Sequence, residues 1–295
     1  MNSKNWALFA ATIVAIIYGV TFTIAKDVMP EYVKAFGFIT IRVGGSAILF
    51  WIIYFWGPKE KIQKEDYYLL VGSAFFGVAF NMLTFFKGLS YTSPIMGAVL
   101  MVTTPIIVLV LSAFLIQEKL TPKKIIGIIC GAIGAILLIF YGKASSNATQ
   151  PQLGNFLVFV NAVSYAYYLI LVKKLMNKYN AFSFVPYIYT IGFLMVIPFG
   201  YHEFNEINWN SIPSPILFKI GFVVIFSTFI TYLLNLLSMR SLSPTVVAVF
   251  IYLQPFFATI FAISLQKDSL SIEKIVSMFA IFIGVYLVTH KIDKK

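Results

Sequence analysis

Ten apolar runs, most close to twenty residues long, follow one another through the sequence with only short polar breaks between them. They lie near 6–25, 33–56, 67–88, 93–116, 124–141, 154–172, 181–200, 216–237, 244–266 and 274–290. About 20 apolar residues are what an α-helix needs to cross a hydrocarbon core of about 30 Å. In that solvent every backbone N–H and C=O must be paired within protein, so only helices and closed barrels span it. The runs are continuous and lack the alternation of a barrel strand. Of 295 residues, 60% are hydrophobic and 11% charged, with a mean hydropathy of +0.88. A soluble domain has roughly 45–50% apolar and about 25% charged residues. The expected fold is an all-α membrane protein of ten transmembrane helices, with no length left for a separate soluble domain. The lone Cys130 lies in an apolar run and reads as a buried packing residue.

The net charge of +11 sits in short basic clusters between the runs, as in cytoplasmic loops, and no nucleic-acid partner is expected. With the N-terminus in the cytoplasm, that side holds fourteen Lys and Arg: Lys4, Lys59, Lys61, Lys64, Lys119, Lys123, Lys124, Lys173, Lys174, Lys178, Arg240, Lys291, Lys294 and Lys295. The other side holds seven, and Arg42 alone is left inside a run. The positive-inside rule therefore places both termini in the cytoplasm. Trp6, Trp56, Tyr67 and Tyr68 fall at the same interfaces. The run from Trp6 is too long for a signal-peptide core and reads as a retained first span.

The chain also repeats itself. Ser93-Pro94 returns as Ser243-Pro244, Pro105 as Pro255, Glu118 as Asp268, and Leu120, Lys124, Ile125 and Gly134 as Leu270, Lys274, Ile275 and Gly284, always 150 residues later. Nearer the start the offset is 147, pairing Tyr18 with Tyr165, Lys26 with Lys173 and Tyr32 with Tyr179. Each half then carries five spans, in units 1–142 and 154–290. An odd number makes the second copy enter the membrane from the opposite face. Inverted repeats of this kind suit a secondary transporter working by alternating access, with its substrate site near the midplane between the halves. A non-transporting membrane scaffold or sensor is the alternative of another class.

Lys87-Gly-Leu-Ser-Tyr-Thr-Ser-Pro94, Thr104-Pro105 and Gln117-Glu118-Lys119-Leu120-Thr121, with their second copies at Arg240-Ser-Leu-Ser-Pro244 and Tyr252-Leu-Gln-Pro255, resemble the signature of EamA-like permeases of the drug/metabolite transporter superfamily. Tyr18-Gly19 stands where that family has Trp-Gly, and Arg42 matches its second-span arginine. Two departures are visible: Gln117 stands where a Gly is usual before the Glu, and Asp268 replaces the second Glu. The resemblance implies a ten-helix inner-membrane permease, usually an exporter of amino acids or other small polar metabolites, with cytoplasmic termini. Transport of anionic or nucleotide-linked solutes is the alternative within the class.

All eleven carboxylates and both histidines fall in breaks or at span ends. Without an embedded titratable carboxylate, facilitated diffusion or exchange fits better than proton antiport of cations. Arg42 has two readings: its planar fork captures a substrate carboxylate or phosphate, or it ties the helices structurally or snorkels outward. Pro105 and Pro255 each remove a helical donor, freeing the carbonyls of Met101 and Ile251. Backbone freed at that depth is tolerated only against protein or a wet cavity. Around these breaks the candidate cavity residues are Tyr18, Arg42, Asn81, Thr104, Pro105, Tyr165, Tyr168, Tyr232, Asn235, Tyr252, Gln254 and Pro255; Thr84 shares their polar character. Single hydroxyls on spans also serve as interhelical glue. Gly127, Gly131 and Gly134, with Ser277, Ala280 and Gly284, form small-residue faces for internal packing or for a homodimer. Catalytic, metal-ligating and phosphate-cradle motifs are absent, so no enzyme activity, cofactor or metal is expected. The expected partners are the lipid bilayer and a small-molecule substrate.

Overall fold

A computed structural model of the chain describes residues 3–29, 31–92, 94–141, 150–264 and 271–290. Ser93, Lys143, Lys267, Asp268, Leu270, Lys291, Lys294 and Lys295 lie outside the described residues. Among the described residues there are ten spans, all helical: α1 (Ser3–Val28), α2 (Ala35–Trp56), α3 (Lys64–Tyr91), α4 (Pro94–Met101 with Thr104–Leu115), α5 (Pro122–Phe140), α6 (Pro151–Lys178), α7 (Ala181–Asn205), α8 (Ser214–Ser238), α9 (Pro244–Val249, Phe250–Tyr252 and Leu253–Ser264) and α10 (Ile272–Thr289). Several run beyond the apolar stretches that announce them. The apolar run marks the hydrocarbon depth, and the helix continues through the headgroup layer. Starts are specified locally. Pro stands in the first turn of α5, α6 and α9, where its missing donor costs nothing. Thr121 and Ser243 accept from the backbone N–H groups of Lys124 and Val246.

Side-chain contacts sort the connections into two faces. At the N-terminal face Lys4 Nζ donates to the Thr289 carbonyl at 2.9 Å, joining the start of α1 to the end of α10. Lys178 and Tyr179 both bind Asp66 there, each at 2.7 Å. At the opposite face Lys34 pairs with Glu206 at 2.7 Å and Lys219 with Asp27 at 2.5 Å. Glu203 accepts from the N–H groups of Phe36 and Gly37, at the otherwise uncapped start of α2. The Lys34 ammonium holds the Glu206 carboxyl below the usual range, and the carboxylate raises Lys34 in return. Both groups are well exposed, so the pair marks the face more than it stabilises it.

The packing follows a two-fold axis in the membrane plane. α2 packs on its counterpart α7, and α5 on its counterpart α10. α6 packs on α3 and α4, while α1 packs on α8 and α9, the same arrangement in inverted copy. The leading helix of each repeat therefore sits against the other repeat, and the two sequence halves interlock. The glycine faces of α5 and α10 are spent on each other: a Cβ on Gly284 would lie 2.6 Å from the Cα of Gly131. These faces serve internal packing. Their outer sides, including Ile126, Ile129, Ile133, Phe279 and Ile283, are exposed apolar surface suited to lipid.

Candidate functional site

A cavity of about 180 Å³ lies between the repeats, bounded by α1, α2, α3, α4, α6, α8 and α9. On α1 its wall runs from Tyr18 through Thr21 and Ala25 to Met29 at the helix end. On α3 it runs from Asn81 through Phe85 to Leu89, and on α4 from Met101 back to Gly97. The cavity thus extends from mid-bundle toward the face opposite the N-terminus. A depression of about 510 Å³, bounded by Tyr54, Lys59, Lys61, Tyr67 and Tyr187, lies at the N-terminal face beside α2, α3 and α7. It is larger but lies at that face, away from the midplane where alternating access places a substrate.

Six of the sequence candidates line the cavity: Tyr18, Arg42, Asn81, Tyr165, Tyr232 and Gln254. Tyr18 and Tyr165 are repeat counterparts, brought together because α1 and α6 each cross into the other half. Six candidates fall elsewhere. Tyr168 stands one layer back, its ring 5.9 Å from Tyr165 and 6.2 Å from Tyr232. Tyr252 is fully buried over Gly131, in the contact between α9 and α5. Thr104 and Pro105 are buried at the start of the second piece of α4, and Pro255 is half-buried on α9 without reaching the wall. Asn235 lies one turn beyond Tyr232 toward the N-terminal face, outside the wall. Thr84 donates to the Phe80 carbonyl one turn back and is also outside the wall.

The proline breaks still shape the site. α4 stops at Met101 and restarts at Thr104; α9 passes through a tight 3-10 turn at Phe250–Tyr252. Met101 and Ile251, the residues whose carbonyls the prolines free, are both in the cavity wall.

Two further distortions were not legible. α3 widens into a π-helix at Phe75–Ala79 and α8 at Val223–Ile230, positions that overlap under the 150-residue shift. π-segments spare backbone groups for other partners. The Gly77 carbonyl accepts from Tyr232 OH at 2.8 Å, linking α8 to α3 below the cavity. Glycine is required there, since a Cβ on Gly77 would collide with the Tyr168 ring. On α8, Thr228 donates to the Val223 carbonyl five residues back and accepts from Arg42 Nε at 3.1 Å.

Arg42 is 7% exposed and is the only charged residue in the wall. Its partners are the Thr228 hydroxyl and the Phe86 ring, 5.3 Å from the guanidinium carbon. Among the described residues it forms no ion pair. Asn81 and Asn161 each donate to the other's backbone carbonyl. Asn161 Oδ1 and Ser227 Oγ, on residues that line the cavity, have no partner among the described residues. Asn161 and Ser227 escaped the sequence reading, because one polar residue on an apolar helix carries no signal of which way it faces.

The N-terminal side of the cavity is closed by contacts between the halves. Glu118, after α4, accepts from Ser243 at 2.6 Å, from Thr245 at 2.8 Å and from Lys124 at 2.7 Å. Lys173, at the end of α6, donates to the carbonyls of Met239 and Leu242. Glu118 is aimed by Gln117, which takes a left-handed φ of 54°.

The sequence profile of the EamA-like transporter family matches residues 5–140 and again residues 152–290. The uncharacterized transporter YetK of Bacillus subtilis is 27% identical over 58% of this chain, which spans about half (52%) of that relative's length. An uncharacterized transporter of Archaeoglobus fulgidus is 24% identical over 98% of this chain and 99% of its own. The S-adenosylmethionine/S-adenosylhomocysteine transporter of Chlamydia muridarum is 22% identical over 97% of this chain and 92% of its own. One crystal structure, 13% identical, superposes over 95% of each chain with a TM-score of 0.75 and shows the same fold.

Proposed function

This chain belongs to the EamA-like transporter family, and we propose that it exports small polar metabolites, amino acids among them, across the inner membrane by alternating access. The observation that carries the reading is the cavity between the inverted repeats, a largely apolar wall that carries hydroxyls, amides and one guanidinium and runs toward the face opposite the N-terminus. An amino acid meets complementary chemistry there: Arg42 for its carboxylate and the neutral amides and hydroxyls of the wall for its ammonium. An anionic or nucleotide-linked solute is the second reading, for which Arg42 in the wall would supply the counter-charge. The test compares metabolites in medium and cells with and without the protein, then measures flux of the enriched solutes in proteoliposomes. Flux is expected to need no imposed pH gradient. Uphill accumulation driven by an imposed pH gradient would contradict the absence of an acidic group from the wall. No protein-dependent difference in any small polar solute would remove the export reading.

We assign the N-terminal face to the cytoplasm, from the lysine asymmetry, so the cavity described above faces outward. Single cysteines in 206–213 are expected to react with an impermeant thiol reagent added outside, and those in 57–63 to be protected. Strong external labelling of 57–63 would reverse the assignment.

A further inference from the structure

Arg42 poses a problem that the fold does not solve. A cation at this depth needs a counter-charge, and the described residues offer a hydroxyl and a ring face. Its Nε is used, and the four terminal N–H donors of the fork have no acceptor among the described residues. The wall is otherwise neutral, so one positive charge awaits one negative group. In this state the guanidinium borders the cavity, and water reaches that charge only through the 7% of the residue left exposed. Closing the cavity around an empty site expels the water and buries an unpaired guanidinium. Closing it around a carboxylate buries a bidentate pair instead.

We infer that Arg42 makes this protein an obligatory exchanger of carboxylate-bearing solutes: the carrier turns over when loaded and stalls when empty. This rests on the transport reading above and adds its mode. Insertion scales put a midplane arginine at about 2.5–3.5 kcal/mol, which corresponds to an empty carrier that reorients on the order of a hundredfold more slowly than a loaded one. No covalent step is involved. One carboxylate leaves the fork on one side and another enters on the other, and the charge on Arg42 is balanced in each crossing. The net charge of the solute elsewhere is not read by any charged group in the wall.

Counterflow tests this directly. The full chain is reconstituted in liposomes loaded with radiolabelled leucine, phenylalanine, threonine or lactate, with the membrane potential clamped. Efflux into solute-free buffer is compared with efflux into buffer containing the same unlabelled solute, or its methyl ester. The free carboxylate outside is expected to accelerate efflux at least tenfold, and the ester, which lacks the charge, not to do so. Arg42→Gln is expected to abolish the acceleration by letting the empty carrier return. Arg42→Lys, which keeps the charge, is expected to retain it. If Arg42→Gln does not insert, the wild-type arms decide alone. Equal wild-type efflux with and without external solute, or acceleration by the ester, overturns the proposal and leaves transport standing. Flux confined to amines or sugars added to the panel overturns the carboxylate site. No flux of any probe overturns both this inference and the reading it rests on.

Discussion

The breaks at Pro105 and Pro255 are copies of one sequence feature, yet they occupy different surroundings. Thr104 is fully buried and Pro105 lies buried beside it, while their counterparts Gln254 and Pro255 are half-buried and Gln254 reaches the cavity wall. The two faces differ in the same sense. At the N-terminal face Glu118 of the first half binds Ser243 and Thr245 of the second, and the cavity is shut. Toward the other face the wall continues along α1 to Met29. Two copies of one motif thus hold two conformations at once. In an inverted-repeat carrier, exchange of those conformations between the copies is a route from one open state to the other.

The largest expected effect comes from breaking the closed face. Glu118 is nearly buried, and its carboxylate accepts three hydrogen bonds, one of them from Lys124. A single hydrogen bond to a charged group contributes about 1.5–3 kcal/mol. Losing that much shifts the closed-to-open ratio of this face by roughly ten- to a hundredfold or more. Glu118→Ala should therefore expose Ala248, 1% exposed behind these contacts, to a thiol reagent from the N-terminal side when it is replaced by cysteine in a Cys130→Ser background. Unchanged protection in a folded variant would show that the face is held shut by packing alone.

The prolines come next. An interior proline costs a helix about 3 kcal/mol, so Pro→Ala returns a comparable preference for a continuous helix. Pro255→Ala is expected to straighten α9 beside Gln254 and narrow the existing cavity. Pro105→Ala is expected to act on α4, which has no wall residue at Thr104 in this state, and so to hinder the alternate state more than this one. Both variants should insert normally and transport at least tenfold more slowly. Only Pro255→Ala should weaken binding of solute to the outward-open protein. Wild-type transport by both would reduce the breaks to packing features.

What could be read from the sequence tracks the range of the physics behind it. Spans and the alternation of faces follow from hydropathy and lysine counts, which are local. The inverted repeat follows from the 150-residue shift and the odd span count. The cavity depends on which side of each helix faces inward, and apolar runs facing lipid and protein alike conceal that. Arg42, Asn81 and Gln254 stood out because charge and amides are costly against lipid. Asn161 and Ser227 did not stand out, and Tyr252 was drawn to the wrong group by its nearness in sequence to Gln254. The π-segments that position Gly77 and Thr228 are set by packing against α6 and α2, which no local pattern announces.

The smallest effect concerns the turn that aims Glu118. Gln117 stands where EamA-like sequences usually have Gly, and its φ of 54° explains the usual choice. A left-handed conformation costs an L-residue with a Cβ roughly 1–2 kcal/mol, which glycine avoids. Glycine gives part of this back through the greater freedom of the unfolded chain, about 0.4–1 kcal/mol. Gln117→Gly should therefore stabilise the protein by about 0.5–1 kcal/mol. Gln117→Ala keeps the Cβ and should change little. Thermal unfolding in detergent micelles reads both variants, and Glu118 reactivity reports whether the closed face is preserved. A Gly variant that loosens this face would mean that the stiffness of Gln117, with its strain, is what holds Glu118 on Ser243 and Thr245. An Ala variant as stable as the Gly variant would place the effect in the lost side chain and remove the backbone argument.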